Sequence, residues 1–311
     1  MSRFGRNRPP APTDEERQAA EVDLERIRQG GIPLGAEQRL KRVAAASTPF
    51  FTSDLSAKEY ALAEASGLAP VAQVMGSSVV QHGWQGRNLA YSTGELPGLS
   101  EPWNMARNRA FDRLRQEAEL AGADSVIGIE TSASSVADAG NIEFVVFGTA
   151  VRDRTLSPGH NRPLGMCTLS GQDVDKLRRI GAEPCGVVGH TTVLSVPLGR
   201  NSAWAMSRSG GYFSGGAQMN MEIVEVSQGV YAARNLAMAE VRRQGNAVGA
   251  NNIVISVLQH TIDHYEFEQG GFPYHYFHVS MNVLGTAIRL GARDPHPGPL
   301  PGPMMSINLG R

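Results

Sequence analysis

The chain has 311 residues, with 29 Lys and Arg against 30 Asp and Glu, two Cys, 35 Gly and 18 Pro. This length allows two domains with buried cores, so folding needs neither disulfides nor a structural metal. A net charge of −1 argues against general nucleic-acid binding, and no apolar run approaches the roughly 20 residues that span a bilayer. Without an apolar leader or a disulfide framework, the composition indicates a cytoplasmic globular protein.

The two ends of the chain differ from its middle. Residues 1–13 are rich in Arg and Pro, and we predict that they are disordered. Residues 14–48 are predicted to form a helical extension, with thin helices at about 14–29 and 36–46. Such helices usually dock on something larger. Residues 291–311 form a Pro-rich tail that is incompatible with a helix or a central strand.

The middle of the chain contains an internal repeat. The string GLAPVAQVMGSSV at 67–79 matches GAEPCGVVGHTTV at 181–193 without a gap, and ARNRA at 106–110 matches ARNLA at 233–237. The later strings GAD and GAN, then GTAVR and GTAIR, follow in the same order. Matched blocks in one order indicate two copies of one unit. We place them at 49–153 and 166–290, joined by a linker at 154–165.

Each copy has the same predicted elements in chain order. A short helix (56–65 or 172–180) ends before a Gly suited to a left-handed backbone, and a buried strand follows (71–80 or 187–196). After a Gly-rich stretch comes the longest helix, and then two strands that pair as a hairpin. The helix residues expected on one buried face are Ala106, Ala110, Leu114, Ala118 and Ala121, and in the second copy Val230, Ala233, Ala237 and Val241. The order predicts an α+β fold, a largely antiparallel sheet with one main helix per copy.

These blocks resemble the YbjQ-like (UPF0145) family, which carries a heavy-metal-binding label. The motifs are V-x-G at 74–76 and 187–189, A-R-x-x-A in the main helix, G-A-[DN]-x-[IV]-[IV] at 122–127 and 249–254, and G-T-A-[IV] in the last strand. The resemblance covers roughly 50–153 and 166–290. It implies dodecin-like α+β subunits and ring-shaped homo-oligomers, pentameric in single-copy members, so the expected partner is a copy of the chain itself. It supplies no ligand set.

The second copy holds a histidine-rich hairpin around Gly270-Gly271. A two-residue turn there would pair His264 with Phe277 and Glu266 with His275. Neutral imidazoles with a carboxylate suit Zn²⁺, Ni²⁺ or Cu²⁺. The candidate metal ligands are His260, His264, Glu266, His275 and His278. Ala and Asn occupy the corresponding stretch of the first copy.

The same hairpin is unusually aromatic, and this favours a different hypothesis. A projecting hairpin that carries many aromatic rings is typical of a surface that packs on a neighbouring subunit. The candidate interface residues are Tyr265, Phe267, Phe272, Tyr274, Tyr276 and Phe277. We prefer this interpretation to a ligand site.

A polar pair recurs in the main helix, Arg107-Asn108 in one copy and Arg234-Asn235 in the other. It suits an anion or a partner carboxylate, or equally a structural contact with the end of the sheet. The Gly-rich stretch 210–216 lacks the ending of a phosphate loop, and no G-x-S-x-G, H-E-x-x-H or paired-carboxylate motif occurs, so no catalytic residue is assigned.

The sequence therefore predicts a non-catalytic protein that forms a homo-oligomeric ring, with an unidentified protein partner also open. The alternatives are a transition-metal-binding protein, with zinc as an example of the metal, and a small-molecule binder at subunit clefts.

Overall fold

A computed structural model describes residues 13–45, 53, 55–81, 92–136, 141–157, 163–199, 201–203, 222–269 and 272–291. The predicted disorder of the N-terminus, the Gly-rich stretch 210–216 and nearly all of the Pro-rich tail concern residues outside these ranges. Within the described residues, no helix is both long and apolar enough to cross a membrane.

Two helices open the described chain, as the sequence predicts: α1 (Asp14–Arg28) and α2 (Leu34–Ala45). The Thr13 hydroxyl accepts a hydrogen bond from the Glu16 N–H, and the Glu16 carboxylate accepts one from the Thr13 N–H at 2.7 Å. This capping box explains where α1 begins. No α1 residue is buried, whereas Leu40 of α2 is fully buried in the core of the first copy.

The helices and the long strands follow one order in both copies, whereas the two short strands stand at different places in that order. The first copy comprises α3 (Ala57–Ala65), β1 (Leu68–Gln81), β2 (Gly94–Glu95), α4 (Pro97–Leu120), β3 (Ser125–Val136) and β4 (Asn141–Asp153). The second region comprises β5 (Gly165–Met166), α5 (Gly171–Arg179), β6 (Glu183–Pro197), α6 (Val224–Ala247), β7 (Asn252–Gln269) and β8 (Phe272–Arg289). Gly67 and Gly181 end the short helices with φ of +82° and +74°, which is the left-handed conformation expected of them.

The strands form two four-stranded sheets, in the orders β1-β4-β3-β5 and β2-β6-β8-β7. In each sheet the three long strands pair antiparallel, so the predicted α+β fold is confirmed. Each of the two short strands joins the sheet of the other copy. β2 precedes the main helix of the first copy yet pairs with β6, while β5 pairs parallel with β3. The two copies therefore hold each other through backbone hydrogen bonds.

The main helices pack on the sheets with the predicted faces. Every residue expected on the α4 face is fully buried, as are Ala233, Ala237 and Val241 of α6, whereas Val230 is half-buried. The contact of α4 with β1 is so close at Gly76 that a Cβ there would lie 1.9 Å from the Ala110 carbonyl oxygen. The repeat alignment places His190 at the corresponding position of the second copy. There the closest approach of helix and sheet has moved to α6 residue Gly229, where an added Cβ would lie 2.5 Å from the side chain of Val196.

Candidate functional site

The β7–β8 hairpin has the register that the sequence predicts. His264 lies opposite Phe277, and Glu266 lies opposite His275. Because neighbouring residues of a strand point to opposite faces, this register assigns every hairpin side chain to one of two faces. β7 is the last strand of its sheet, so one side of the hairpin has no further strand within the described residues.

One face of the hairpin carries a pair of histidines. The His264 Nε2 atom lies 3.0 Å from the His275 Nδ1 atom, and the His264 ring stacks on Phe277 with ring centroids 4.7 Å apart. His275 is only 6% exposed, and its Nδ1 atom lies 3.9 Å from a carboxylate oxygen of Glu266. The two imidazoles and the carboxylate therefore form a compact polar group on the face shared with the buried side chain of Phe277.

The opposite face carries the aromatic cluster. Tyr265 stacks on Tyr276 at 5.2 Å between centroids, and Phe267 stacks on Tyr274 at 5.1 Å. His278 lies against this cluster, 4.6 Å from the Tyr265 ring, and burial lowers its pKa. Tyr265 and Tyr274 remain substantially exposed, so this face presents aromatic surface to the solvent.

The hairpin divides the predicted metal ligands. It brings together His264, His275 and Glu266, but His260 lies opposite Met281, further along the strands, and His278 points to the other face. Among the described residues, no group of three or more His, Cys, Asp or Glu is placed to hold a metal ion. These residues do not complete the four-ligand set of a structural zinc site. Of the predicted interface set, Phe277 is buried with the histidine pair, and Phe272 is placed only by its backbone pairing with Gln269.

The recurring Arg-Asn pair occupies two different environments. Arg107 is 5% exposed and donates a 2.7 Å hydrogen bond to the Asn104 side-chain oxygen, while burial lowers its pKa to about 10. Asn108 accepts a weaker bond from the same guanidinium. Arg234 and Asn235 are both exposed. The pair of the first copy thus stabilises a contact within the chain, and the pair of the second copy lies on its surface.

That contact joins the start of α4 to the edge of β6. The Leu96 N–H donates to the Val193 carbonyl at 2.8 Å, and the Ser100 hydroxyl accepts from the Val193 N–H at 2.9 Å. Asn104 both accepts from and donates to the Thr191 backbone, at 2.9 Å each. The helix start therefore satisfies the outward-facing backbone groups that an edge strand otherwise leaves open. Sequence reasoning missed this contact, although Glu95-Leu96 and Ser100 recur at equal spacing as Glu222-Ile223 and Ser227.

A second repeated contact was also missed. The Glu117 carboxylate accepts from the Met75 N–H at 3.0 Å, and Gln244 makes two bonds with the Gly189 backbone, at 3.0 and 3.1 Å. Both side chains lie eleven residues after the first Ala of their A-R-x-x-A motif. Burial raises the pKa of Glu117, which is also paired with Arg39 of α2. In both copies the main helix thus holds the edge of its own first strand.

A cleft of about 470 Å³ lies between the copies and is lined by residues of both. Arg178 and Asp153 form an ion pair of 2.5 Å in its wall. Although burial opposes it, hydrogen bonding by Thr155 and Arg178 keeps the pKa of Asp153 low. Cys167, also in the wall, is buried, which raises the pKa of its thiol to about 11. These partners favour a structural role for the ion pair, and the thiol is unsuited to nucleophilic chemistry.

The fold and these contacts define a class of protein: a tandem α+β repeat whose two copies are joined by a contact of the α4 start with the β6 edge. The comparison with known proteins identifies the family. A family model described as "Putative heavy-metal-binding" matches residues 52–154. The chain belongs to the YbjQ-like (UPF0145) family and contains its unit in two tandem copies.

Three relatives illustrate the match. The encapsulin nanocompartment protein Rv1762c of Mycobacterium tuberculosis is 32% identical over 244 residues, which cover 77% of this chain and 86% of the relative. A UPF0145 protein of Halorubrum lacusprofundi is 42% identical over 104 residues, 33% of this chain and 95% of its own. A UPF0145 protein of Vibrio campbellii is 38% identical over 90 residues, 27% of this chain and 86% of its own.

Proposed function

We propose that the chain is a non-catalytic structural protein that assembles with copies of itself into a closed ring, with residues 49–153 and 166–290 as its two repeating units. The observation that carries this proposal is the contact of α4 with the β6 edge. The helix start of one copy meets the strand edge of the next, so the contact joins two different surfaces of one kind of unit. Repetition of such a contact with constant rotation generates a ring when the rotation closes.

Two further observations support self-assembly. The relative from Mycobacterium tuberculosis is named an encapsulin nanocompartment protein, and this chain covers most of its length. The aromatic face of the β7–β8 hairpin carries stacked rings that stay exposed in the single chain, and exposed rigid rings are typical of interface residues. We therefore propose that this face contacts another chain or a protein partner.

Light scattering on the purified full chain tests the proposal. We expect a single species of several chains at micromolar concentration, and a monomer there would refute the ring. The double variant Tyr265→Ala/Tyr274→Ala should lower the mass or weaken the assembly, because it removes two exposed rings from the proposed interface. Val22→Ala in α1, at an exposed apolar position remote in sequence, is the control and should leave the mass unchanged.

Transition-metal binding at the hairpin is the second candidate function, and the approach of His264 to His275 favours it. Equilibrium dialysis against Zn²⁺ tests it directly. If the pair binds the ion, His264→Ala should lose the bound zinc, whereas His260→Ala should retain it, because His260 lies opposite Met281 and outside the pair. No zinc retained at micromolar concentration would remove this candidate.

A further inference from the structure

The inter-copy contact is built from a sequence block that occurs twice in the chain. In the first copy the block includes Leu96 and Ser100, which bind the β6 edge. In the second copy the matching residues are Ile223 and Ser227. Leu96 and Ile223 precede their helices with nearly the same backbone conformation, φ −105° and ψ 85° against φ −87° and ψ 88°. The start of α6 therefore has the chemistry and the shape of the start of α4.

The outward side of the α6 start, however, is exposed among the residues that the structure describes. Tyr231 stands where α4 has Asn104, and it is 70% exposed. Val224, at the first helical position, is also exposed, and so is Arg234, the counterpart of the buried Arg107. A surface that is covered in one copy is thus uncovered in the other.

The matching strand edge is open as well. Val193 of β6, which receives α4, is 3% exposed, whereas its counterpart Val79 of β1 is 62% exposed. The Met75 N–H points away from β4, since it donates to Glu117. Residues four positions apart in an antiparallel strand point their backbone groups to the same side, so the N–H and carbonyl of Val79 also point away from β4. Arg39 of α2 already donates to the Gln73 carbonyl and Arg113 of α4 to the Ser77 carbonyl, so among the described residues the open part of the edge within 77–81 centres on Val79.

We propose that residues 222–231 of one chain dock on the β1 edge at residues 77–81 of a second copy of the chain. In this contact the Ile223 N–H donates to the Val79 carbonyl, and the Ser227 hydroxyl accepts from the Val79 N–H, as Leu96 and Ser100 do within the chain. The inference rests on the proposed self-assembly and names the surface that carries it. Between chains the contact is head to tail, so it generates a closed ring when the rotation from one unit to the next closes.

The chemical difference between Asn104 and Tyr231 is consistent with this docking. Asn104 supplies an amide to the Thr191 carbonyl, but Tyr231 has no amide. The corresponding acceptor in β1, the Ser77 carbonyl, already receives a hydrogen bond from Arg113 of its own chain. The docked helix therefore needs no donor at that point, and the Tyr231 ring is free to pack along the edge.

A cysteine pair tests the contact in the full-length protein. The double variant Val79→Cys/Ser227→Cys, oxidised under mild conditions, should give a ladder of covalently linked chains on a non-reducing gel, with the peptide linking positions 79 and 227 identified by mass spectrometry. Ser100→Cys/Val193→Cys is the matched control. It reproduces the observed internal contact, so the disulfide should form within one chain and the oxidised protein should still migrate as a monomer.

The outcomes separate this inference from the proposed function. The linked 79–227 peptide between chains supports both. An oligomer in light scattering without that peptide overturns the inference and leaves self-assembly standing, while a monomer overturns both. As a second measurement, Tyr231→Asp and Val79→Asp should each abolish the high-mass species with an unchanged circular dichroism spectrum, because both residues are exposed in the single chain. Val22→Asp, an exposed apolar control, should retain it, and retention by all three variants also overturns the inference.

Discussion

Replacing Gly76 by Ala should destabilise the first copy by about 3 kcal/mol, at the upper end of the usual cost of overpacking. The new Cβ would lie 1.9 Å from the Ala110 carbonyl oxygen and 2.7 Å from the Leu114 nitrogen, and neither backbone atom can turn aside as a flexible side chain would. To reach ordinary contact, α4 must move from the sheet by about 1.5 Å, which forfeits dispersion energy along its whole buried face.

Unfolding in urea, followed by far-ultraviolet circular dichroism at one fixed protein concentration, measures this cost. Gly35→Ala in α2 is the matched control, because an added Cβ there meets nothing within 4 Å and Ala favours the helix by up to about 1 kcal/mol. Both variants change the unfolded chain alike. An unfolding free energy for Gly76→Ala within about 0.5 kcal/mol of the unchanged protein would refute the steric argument.

Three further outcomes follow from individual contacts. Asn104→Ala should cost about 2 kcal/mol of unfolding free energy, because it removes two hydrogen bonds to the β6 backbone, whereas Asn235→Ala on the surface should change stability by less than about 0.5 kcal/mol. A thiol reagent at pH 8 should label Cys185 and spare Cys167 until the protein unfolds, since burial raises the Cys167 pKa to about 11; labelling at equal rates would contradict this. Burial lowers the pKa of His190 in the folded protein below its ordinary value of about 6.5. As the pH drops below that value, the unfolded chain binds the proton more readily than the folded chain does, so the free energy of unfolding should fall. An NMR titration should show the ring titrating below that value, and a higher pKa would refute the assignment.

The parts of the fold that the sequence predicts correctly are those with a periodic or local signal. The buried α4 face follows from helical spacing of small residues, and the hairpin register follows from the position of Gly270-Gly271 between two long strands. The exchange of β2 and β5 between the sheets has no such signal, because two residues carry no period. The separation of His275 from His278 was available from sequence alone, since residues three apart in a strand face opposite sides.

The difference in exposure between Arg107, which is buried, and Arg234, which is exposed, could not be predicted from the sequence. The two residues stand in the same motif, so no local pattern distinguishes them. Their environments differ because the first copy has the second copy as its neighbour within the chain, whereas the start of α6 faces outward.

In the proposed assembly, fusion of two units into one chain makes one of the two contacts internal, and that asymmetry accounts for the sequence difference between Asn104 and Tyr231. The internal contact has a strict polar fit, with Asn104 bound to both backbone groups of Thr191. The corresponding outer surface carries Tyr231, whose ring tolerates small changes of position better than a pair of directional hydrogen bonds does. The proposed contact between chains would therefore make fewer geometric demands on docking than the internal contact does. Tyr231→Asn would test this reasoning. Since Arg113 already donates to the Ser77 carbonyl, the new amide could make only one of the two bonds that Asn104 makes, and the contact of the Tyr231 ring would be lost. Assembly should therefore weaken although the substitution makes the two copies more alike.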